Sequence, residues 1–123
     1  MASTLKLGVV LVVEDDGLIR YQIAEALRDV GWMVIEASSA EQAIRELKTA
    51  QQIDVVFTDI QLAGALSGWD VAEHGRSIQA AIPVIYASGN AADRSRRVAN
   101  SLFFDKPYDA SEVVEACSRI RRV

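Results

Sequence analysis

The chain has 123 residues and a net charge of −4; half of its residues are hydrophobic and 24% are charged. This length and composition predict one globular domain with a hydrophobic core, and they exclude a disordered chain. The acidic balance argues against a nucleic-acid-binding surface, and no apolar run approaches the roughly 18–20 residues of a membrane span. Cys117 is the single cysteine and the start of the chain lacks a signal-peptide pattern, so a reducing cytoplasm is the expected compartment.

The chain begins with an apolar strand and an amphipathic helix. Leu7 to Val13 is a near-continuous run of apolar, mostly β-branched residues, which predicts a strand buried on both faces. Residues 17–30 follow as a helix that Asp16 caps and Gly31 ends. Its predicted buried face consists of five apolar residues at helical spacing: Ile19, Ile23, Ala26, Leu27 and Val30.

Two strands and a second helix come next. Trp32 to Ala37 predicts the second strand, and Ile53 to Thr58 predicts the third. Between them, Ser39 and Gln42 fit a capping box at the start of a helix. The apolar residues of that helix recur at the spacing of one helical face: Ala40, Ala43, Ile44 and Leu47.

The second half of the chain continues the alternation of strand and helix. Residues 68–80 predict the third helix, Pro83 to Ala87 the fourth strand and Leu102 to Phe104 a short fifth strand. Asp109 caps a last helix, whose apolar face is Val113, Ala116, Cys117 and Ile120. This order predicts an α/β fold with a parallel sheet covered on both sides, and a single domain spanning residues 1–123 with no output domain.

Charged and polar side chains collect where these strands end. In open α/β sheets ligands bind at the carboxyl ends of the strands. Acids gathered at one edge repel one another, and a hard cation such as Mg²⁺ or Mn²⁺ compensates them while leaving positions for phosphate oxygens. The residues in question are Glu14, Asp15, Asp16, Asp59, Ser88 and Lys106.

Asp59 is the best candidate nucleophile among these residues. Carboxylates form aspartyl-phosphates, and the apolar strand before Asp59 would hold its side chain rigidly. Acids, a bound cation, the hydroxyl of Ser88 and the charge of Lys106 together describe a phosphoryl-transfer site. The sequence therefore predicts that Asp59 accepts phosphate with the help of a divalent metal.

Four short motifs, in this order and each at a strand end, resemble those of the receiver domain of two-component response regulators. The resemblance covers nearly the whole chain and implies a doubly wound, flavodoxin-like (βα)5 fold, with a five-stranded parallel sheet of order 2-1-3-4-5. The motifs are Val12-Val13-Glu14-Asp15-Asp16, Thr58-Asp59-Ile60, Pro83-Val84-Ile85-Tyr86-Ala87-Ser88-Gly89 and Phe104-Asp105-Lys106-Pro107-Tyr108.

The resemblance implies a role for each site residue. Asp59 would accept the phosphoryl group of a histidine kinase or a histidine phosphotransfer protein. Glu14, Asp15 and Asp59 would hold the metal together with the backbone carbonyl of Gln61. Gln61 and Asn90 stand where the family tunes dephosphorylation, although loop polarity explains both residues equally well.

Four more residues acquire roles from the same resemblance. Ser88 and Lys106 would bind phosphoryl oxygens, and the peptide bond before Pro107 would be cis. Phe103 matches the aromatic switch position. The segment from Ser88 to Phe103 would then be the element that changes conformation on phosphorylation.

The chain also departs from the common pattern of that family. The loop of residues 61–68 has no proline, and the stretch between Ser88 and Lys106 is short and polar. These features and the Tyr-Ala-Ser-Gly motif resemble a divergent receiver subgroup with a Phe-Ala-Thr-Gly motif and a reduced fourth helix. We expect residues 90–101 to have low local stability, since they have little apolar surface to bury.

The leading hypothesis is a stand-alone, phosphorylation-driven switch of protein–protein interactions, a signalling phosphoprotein and not a conventional enzyme. It would act on an unidentified downstream protein or within a phosphorelay, and homodimerisation through the last strand and helix stays open. An aspartate-nucleophile phosphohydrolase needs a second acid where Gln61 stands. A flavin or nucleotide binder needs a glycine-rich loop where the first acids stand. A degenerate receiver that binds without phosphorylation is disfavoured by the complete set of site residues.

Overall fold

A computed structural model describes residues 7–50, 52–89 and 94–121. Five parallel strands form one sheet in the order β2-β1-β3-β4-β5, which confirms the predicted doubly wound topology. Each strand lies within two residues of its predicted bounds. The strands are β1 (Gly8–Val13), β2 (Trp32–Ala37), β3 (Val55–Asp59), β4 (Val84–Ser88) and β5 (Leu102–Asp105).

The described residues contain four helices, two on each face of the sheet. Helices α1 (Gly17–Asp29) and α4 (Ala110–Arg121) pack on one face, and α2 (Ala40–Thr49) and α3 (Gly68–Ile78) pack on the other. Between β4 and β5, residues 94–101 form turns without a helix, in agreement with the predicted reduction of the fourth helix. None of the described helices has the length and apolar content needed to cross a bilayer.

The central strand β1 explains why its sequence is apolar without interruption. Val10, Leu11, Val12 and Val13 are all 0% exposed. Val10 and Val12 face α1 and α4, whereas Leu11 and Val13 face α2 and α3. Each fully buried side chain of this size contributes about 1.5–3 kcal/mol through apolar burial. This burial on both faces anchors the strand and leaves its carboxyl end, where Glu14 follows, as a rigid edge.

Helix α1 begins as predicted but ends earlier than its apolar pattern suggested. The carboxylate of Asp16 accepts hydrogen bonds from the backbone N–H groups of Leu18 and Ile19 at 3.0 and 3.1 Å. The helix ends at Asp29, so Val30 leaves the helical surface and is 50% exposed. The prediction that Val30 is buried with the helix was therefore wrong.

The capping box predicted for α2 is only half formed. Ser39 caps the helix, and its hydroxyl accepts from the backbone N–H of Gln42 at 3.1 Å. The return bond goes elsewhere, because the side-chain oxygen of Gln42 accepts from the backbone N–H of Ser38 at 2.9 Å. A complete capping box is found at the start of α3 instead. Ser67 caps this helix, and the Asp70 carboxylate accepts from the Ser67 N–H at 2.8 Å.

Candidate functional site

Three carboxylates meet at the carboxyl ends of β1 and β3. These strands are neighbours in the sheet, so Glu14 and Asp15, which follow β1, lie beside Asp59 at the end of β3. One carboxylate oxygen from each residue lies within 4.8 Å of the others. Glu14 and Asp59 are buried, at 1% and 4% exposure, whereas Asp15 is exposed. This set of oxygen donors fits a hard divalent cation such as Mg²⁺.

Glu14 has one oxygen that accepts a hydrogen bond and one that accepts none among the described residues. Its Oε2 accepts from the backbone N–H of Asp16 at 3.0 Å, while its buried Oε1 has no hydrogen-bond partner among the described residues. Burial raises the pKa of Glu14 to about 7, and the charge of Asp59 acts in the same direction, against the opposing effect of the Asp16 N–H. A buried, unpaired carboxylate oxygen beside a second carboxylate is a group that a cation would stabilise.

Lys106 supplies positive charge to the same edge. Its Nζ lies 2.9 Å from Asp59 Oδ2 and 4.0 Å from Glu14 Oε1. Burial by itself lowers the pKa of Lys106, but the hydrogen bond to Asp59 and the neighbouring carboxylates raise it above its usual value. The backbone N–H of Lys106 donates to the carbonyl of Ser88 at 2.9 Å, and the peptide bond to Pro107 is cis. Lys106 is therefore held against Asp59.

Ser88 and Phe103 lie at different distances from this edge. Ser88 is the last residue of β4, is 2% exposed and follows Ala87, which is in register with Asp59. Phe103 lies further back on β5, half-buried and in register with Tyr86. The structure thus brings Ser88 to the edge that carries Asp59, and it places Phe103 on the adjoining strand behind that edge.

A group of three aromatic side chains connects β4, β5 and α3 behind Asp59. The ring of Tyr86 lies 4.8 Å from that of Trp69 and 6.0 Å from that of Phe103, measured between centroids. The Arg94 guanidinium covers the Phe103 ring at 3.6 Å from its centroid. Tyr86 is 0% exposed, and its hydroxyl accepts from the backbone N–H of Val98 at 3.0 Å. Nothing in the sequence pattern indicated this bond, because it depends on the path of a loop.

Arginine side chains attach residues 94–101 to the rest of the domain. Arg96 forms ion pairs with Asp70 at 3.1 Å and with Glu73 at 2.8 Å, both on α3. Within the segment itself, Arg97 donates to the hydroxyl of Ser101 at 3.0 Å. Of the two residues predicted to tune dephosphorylation, Gln61 is exposed just after β3 and Asn90 lies outside the described residues.

Gly68 is a site residue that the helical pattern did not reveal. It is the first residue of α3, and its N–H donates to the carbonyl of Ile60 at 2.9 Å. A Cβ atom at this position would lie 2.2 Å from the backbone carbonyl oxygen of Asp59 and 2.8 Å from the Cα of Ile60. The start of α3 therefore packs directly on the backbone of the candidate acceptor, which leaves no room for a side chain.

Comparison with known proteins places these features in one family. The family model described as "Response regulator receiver domain" matches residues 10–118. The transcriptional regulatory protein PdtaR of Mycobacterium tuberculosis is 29% identical over 122 residues, which cover 93% of this chain and 58% of that protein. The chain therefore spans little more than half the length of this curated relative.

Solved structures agree with the family match. A response regulator receiver protein from Sinorhizobium medicae is 32% identical and superposes with a TM-score of 0.88, covering 94% of each chain. The receiver domain of the hybrid histidine kinase CckA is 27% identical, with a TM-score of 0.79, and the match covers 93% of this chain and 99% of that one.

Proposed function

The chain belongs to the response regulator receiver domain family, and we propose that it accepts a phosphoryl group on Asp59 from a histidine kinase or a histidine phosphotransfer protein in a Mg²⁺-dependent reaction. The observation that carries this proposal is the contact between buried Asp59 and Lys106 at 2.9 Å, beside the unpaired carboxylate oxygen of Glu14. Receiver domains are signalling domains and not conventional enzymes, so the expected product is the phosphorylated protein itself.

The proposed transfer is an in-line displacement at phosphorus. A carboxylate oxygen of Asp59 forms a bond to phosphorus as the phosphorus–nitrogen bond of phosphohistidine breaks, and the electron pair remains on the imidazole nitrogen. Lys106 would leave its ion pair with Asp59 and bind an oxygen of the transferred group. Ser88, at the end of the adjacent strand, would donate to a second oxygen.

Three carboxylates and one carbonyl would hold the divalent metal. We assign Glu14, Asp15 and Asp59 as side-chain ligands, supported by the 4.8 Å spread of their oxygens, and the backbone carbonyl of Gln61 as a fourth. The bound metal would offset the negative charge that accumulates when a phosphoryl group approaches these acids. The burial of Glu14 and Asp59 keeps water away from two of these ligands and strengthens their interaction with charge.

The proposed output is a change in the segment between β4 and β5. Ser88 begins this segment and Phe103 lies near its end, so movement of Ser88 toward phosphate would alter the packing of the Tyr86 and Phe103 rings. A downstream protein, or a second copy of the chain bound through β5 and α4, would recognise the change. Action in the cytoplasm, and action without an output domain, stay predictions from the sequence.

Mass spectrometry tests the proposal directly. The protein is incubated with Mg²⁺ and acetyl phosphate, and the intact mass is measured for wild type, Asp59→Asn and the control Asp29→Asn, which changes an exposed acid on α1. We expect one phosphate adduct in wild type and in the control, and none in Asp59→Asn. A wild-type protein that binds Mg²⁺ but forms no adduct would refute the assignment. Rapid turnover of unrelated phosphate esters would favour the phosphohydrolase alternative.

A further inference from the structure

Two unpaired buried polar atoms lie in the same region of the described structure. The hydroxyl of Tyr108 and the Oε1 of Glu14 are both buried without a hydrogen-bond partner among the described residues. The first can donate a hydrogen bond and the second can accept one. The remaining atom of this kind, the indole nitrogen of Trp32, lies where β2 begins, at the opposite end of the sheet.

The position of the Tyr108 ring is set by two phenylalanines. The ring meets Phe57 edge-on, with centroids 5.9 Å apart and planes at 75°, and it stacks on Phe104 at 5.9 Å and 24°. Phe57 precedes Asp59 by two residues on β3, so the side chains of Phe57 and Asp59 lie on the same face of the sheet. The same core cluster contains Val12, which precedes Glu14 by two residues. The ring of Tyr108 thus packs against the core cluster that contains the residues two positions before each buried carboxylate.

The electrostatic environment of the hydroxyl agrees with this placement. Burial raises the pKa of the Tyr108 hydroxyl, and the charges of Glu14 and Asp59 raise it further. A protonated phenol hydroxyl is a hydrogen-bond donor, and a carboxylate oxygen is an acceptor. Of the carboxylate oxygens of Glu14 and Asp59, Glu14 Oε1 is the buried one without a hydrogen bond among the described residues, so it is the acceptor available to Tyr108.

Burying an unpaired phenol hydroxyl destabilises a protein, and buried polar groups are almost always hydrogen-bonded. The packing of the ring against Phe57 and Phe104 would be equally available to a phenylalanine at position 108. The hydroxyl therefore stabilises the protein only in a state in which it has an acceptor. Glu14 Oε1 is the unpaired buried acceptor of the described residues, and one water molecule between two such groups is sufficiently bonded to be retained.

We propose that Tyr108 is a positioning residue of the metal site: when the cation binds, its hydroxyl donates through one water to Glu14 Oε1 and holds the Glu14 carboxylate in the orientation that binds the divalent cation. This inference rests on the proposed function for the cation itself, and adds the residue that orients its buried ligand. Hydrogen-bonded partners of metal ligands typically change metal affinity by about 10–100-fold when they are removed.

Tyr108→Phe separates this role from an ordinary structural one, because its two effects have different signs. Without metal, the variant loses an unpaired hydroxyl and keeps its ring, so its melting temperature in chelator should be equal to that of wild type or higher. With metal, it loses the group that orients Glu14, so the Kd for Mg²⁺ should rise by roughly 10-fold.

The experiment measures both quantities for four proteins. Mg²⁺ is titrated calorimetrically into chelator-treated wild type, Tyr108→Phe, Tyr21→Phe and Tyr86→Phe, and thermal melts are recorded in chelator. Tyr21 is 57% exposed on α1 and is the neutral control. Tyr86 is not among the proposed metal-site residues, and its buried hydroxyl is hydrogen-bonded to the protein. Tyr86→Phe therefore shows how far the loss of a structural hydrogen bond lowers the melting temperature.

Each outcome decides between the roles. Weaker Mg²⁺ binding in Tyr108→Phe, with an unchanged or raised melting temperature and wild-type behaviour of Tyr21→Phe, supports the proposal. Wild-type Mg²⁺ affinity in Tyr108→Phe overturns it and leaves the proposed function intact, provided that wild type binds Mg²⁺ and is phosphorylated. A melting temperature lowered as much as in Tyr86→Phe overturns it by showing a structural bond. Failure of wild type to bind Mg²⁺ overturns both.

Discussion

Replacing Gly68 by alanine is expected to damage both the stability of the domain and the phosphorylation of Asp59. The added Cβ would lie 2.2 Å from the Asp59 carbonyl oxygen and 2.9 Å from its carbonyl carbon. Non-bonded carbon atoms pack best at about 3.5–4.0 Å, so α3 and the end of β3 must separate by roughly 1 Å. Both neighbours are backbone atoms, which means that no rotamer change can relieve the contact.

The magnitude follows from the rigidity of these neighbours. Inserting a methyl group into a well-packed core typically costs about 1–3 kcal/mol, and the upper end applies where backbone must move. For a domain of this size, about 3 kcal/mol lowers the melting temperature by roughly 10 °C. Because the displaced residue is the proposed acceptor, Asp59, phosphorylation should slow on the order of 100-fold, the usual effect of misplacing a reacting group by about 1 Å.

Gly75→Ala is the matched control, since Gly75 is also a buried glycine of α3. A Cβ at position 75 would lie 3.6 Å from the nearest Ile82 side-chain atom, an ordinary van der Waals distance. Alanine in place of glycine favours a helix by up to about 1 kcal/mol, so the control should melt at the wild-type temperature or higher.

The assay combines thermal melts with the rate of adduct formation from acetyl phosphate. Wild-type stability and rate in Gly68→Ala would refute the reasoning. So would an equal loss in Gly75→Ala, because it would show that any change in α3 has the same effect.

The remaining predictions concern buried polar groups and exposed loop amides. Tyr86→Phe leaves the Val98 N–H without its acceptor and should lower the free energy of unfolding by about 1–2 kcal/mol in urea denaturation; an unchanged midpoint would contradict the bond. Glu14→Gln should raise the stability of the metal-free protein at pH about 8 but not at pH about 4. The pKa of Glu14 is about 7 in the folded protein and 4.5 as a reference. The contribution of Glu14 to wild-type stability is therefore full below pH 4.5 and is lost as the pH rises through 7. Thermal melts in chelator across this range check the sign, and parallel pH profiles would contradict it. Amide exchange should be fast at residues 94–96, which are exposed, and slower at Val98. Protection of residues 94–96 equal to that of β1 would contradict the low stability expected for this segment.

Most of the framework could be predicted because it depends on local pattern. The apolar run of β1 and the β-branched run of β3 each specify a buried strand, and the alternation of strands with helices then sets the topology. Topology alone brings Glu14, Asp15 and Asp59 to one edge, because β1 and β3 are adjacent and parallel. The parallel sheet also brings Lys106 to this edge, but β4 lies between β5 and β3, so the ion pair with Asp59 depends on the lysine side chain as well.

The features that escaped prediction depend on contacts between distant parts of the chain. Val30 has the spacing of a buried residue, but the helix ends before it and leaves it exposed. The close approach of Gly68 to Asp59 depends on how α3 is docked, and glycine at a helix start carries no such signal by itself. The bond between Tyr86 and Val98 depends on the path of a loop that has no periodic pattern. The unpaired hydroxyl of Tyr108 can be recognised only once every neighbouring group is placed.

The aromatic group behind Asp59 also gives the domain an intrinsic fluorescent reporter, the tryptophan Trp69. Trp69 is 9% exposed, and its indole lies 4.8 Å from the Tyr86 ring and 6.4 Å from the Phe103 ring, both of which contact the segment that follows Ser88. Trp32 is the other tryptophan and lies at the opposite end of the sheet, so its emission should stay constant. A rearrangement of Phe103 on phosphorylation would therefore change the tryptophan emission of the unlabelled protein, and stopped-flow fluorescence of wild type and Trp69→Phe would give its rate.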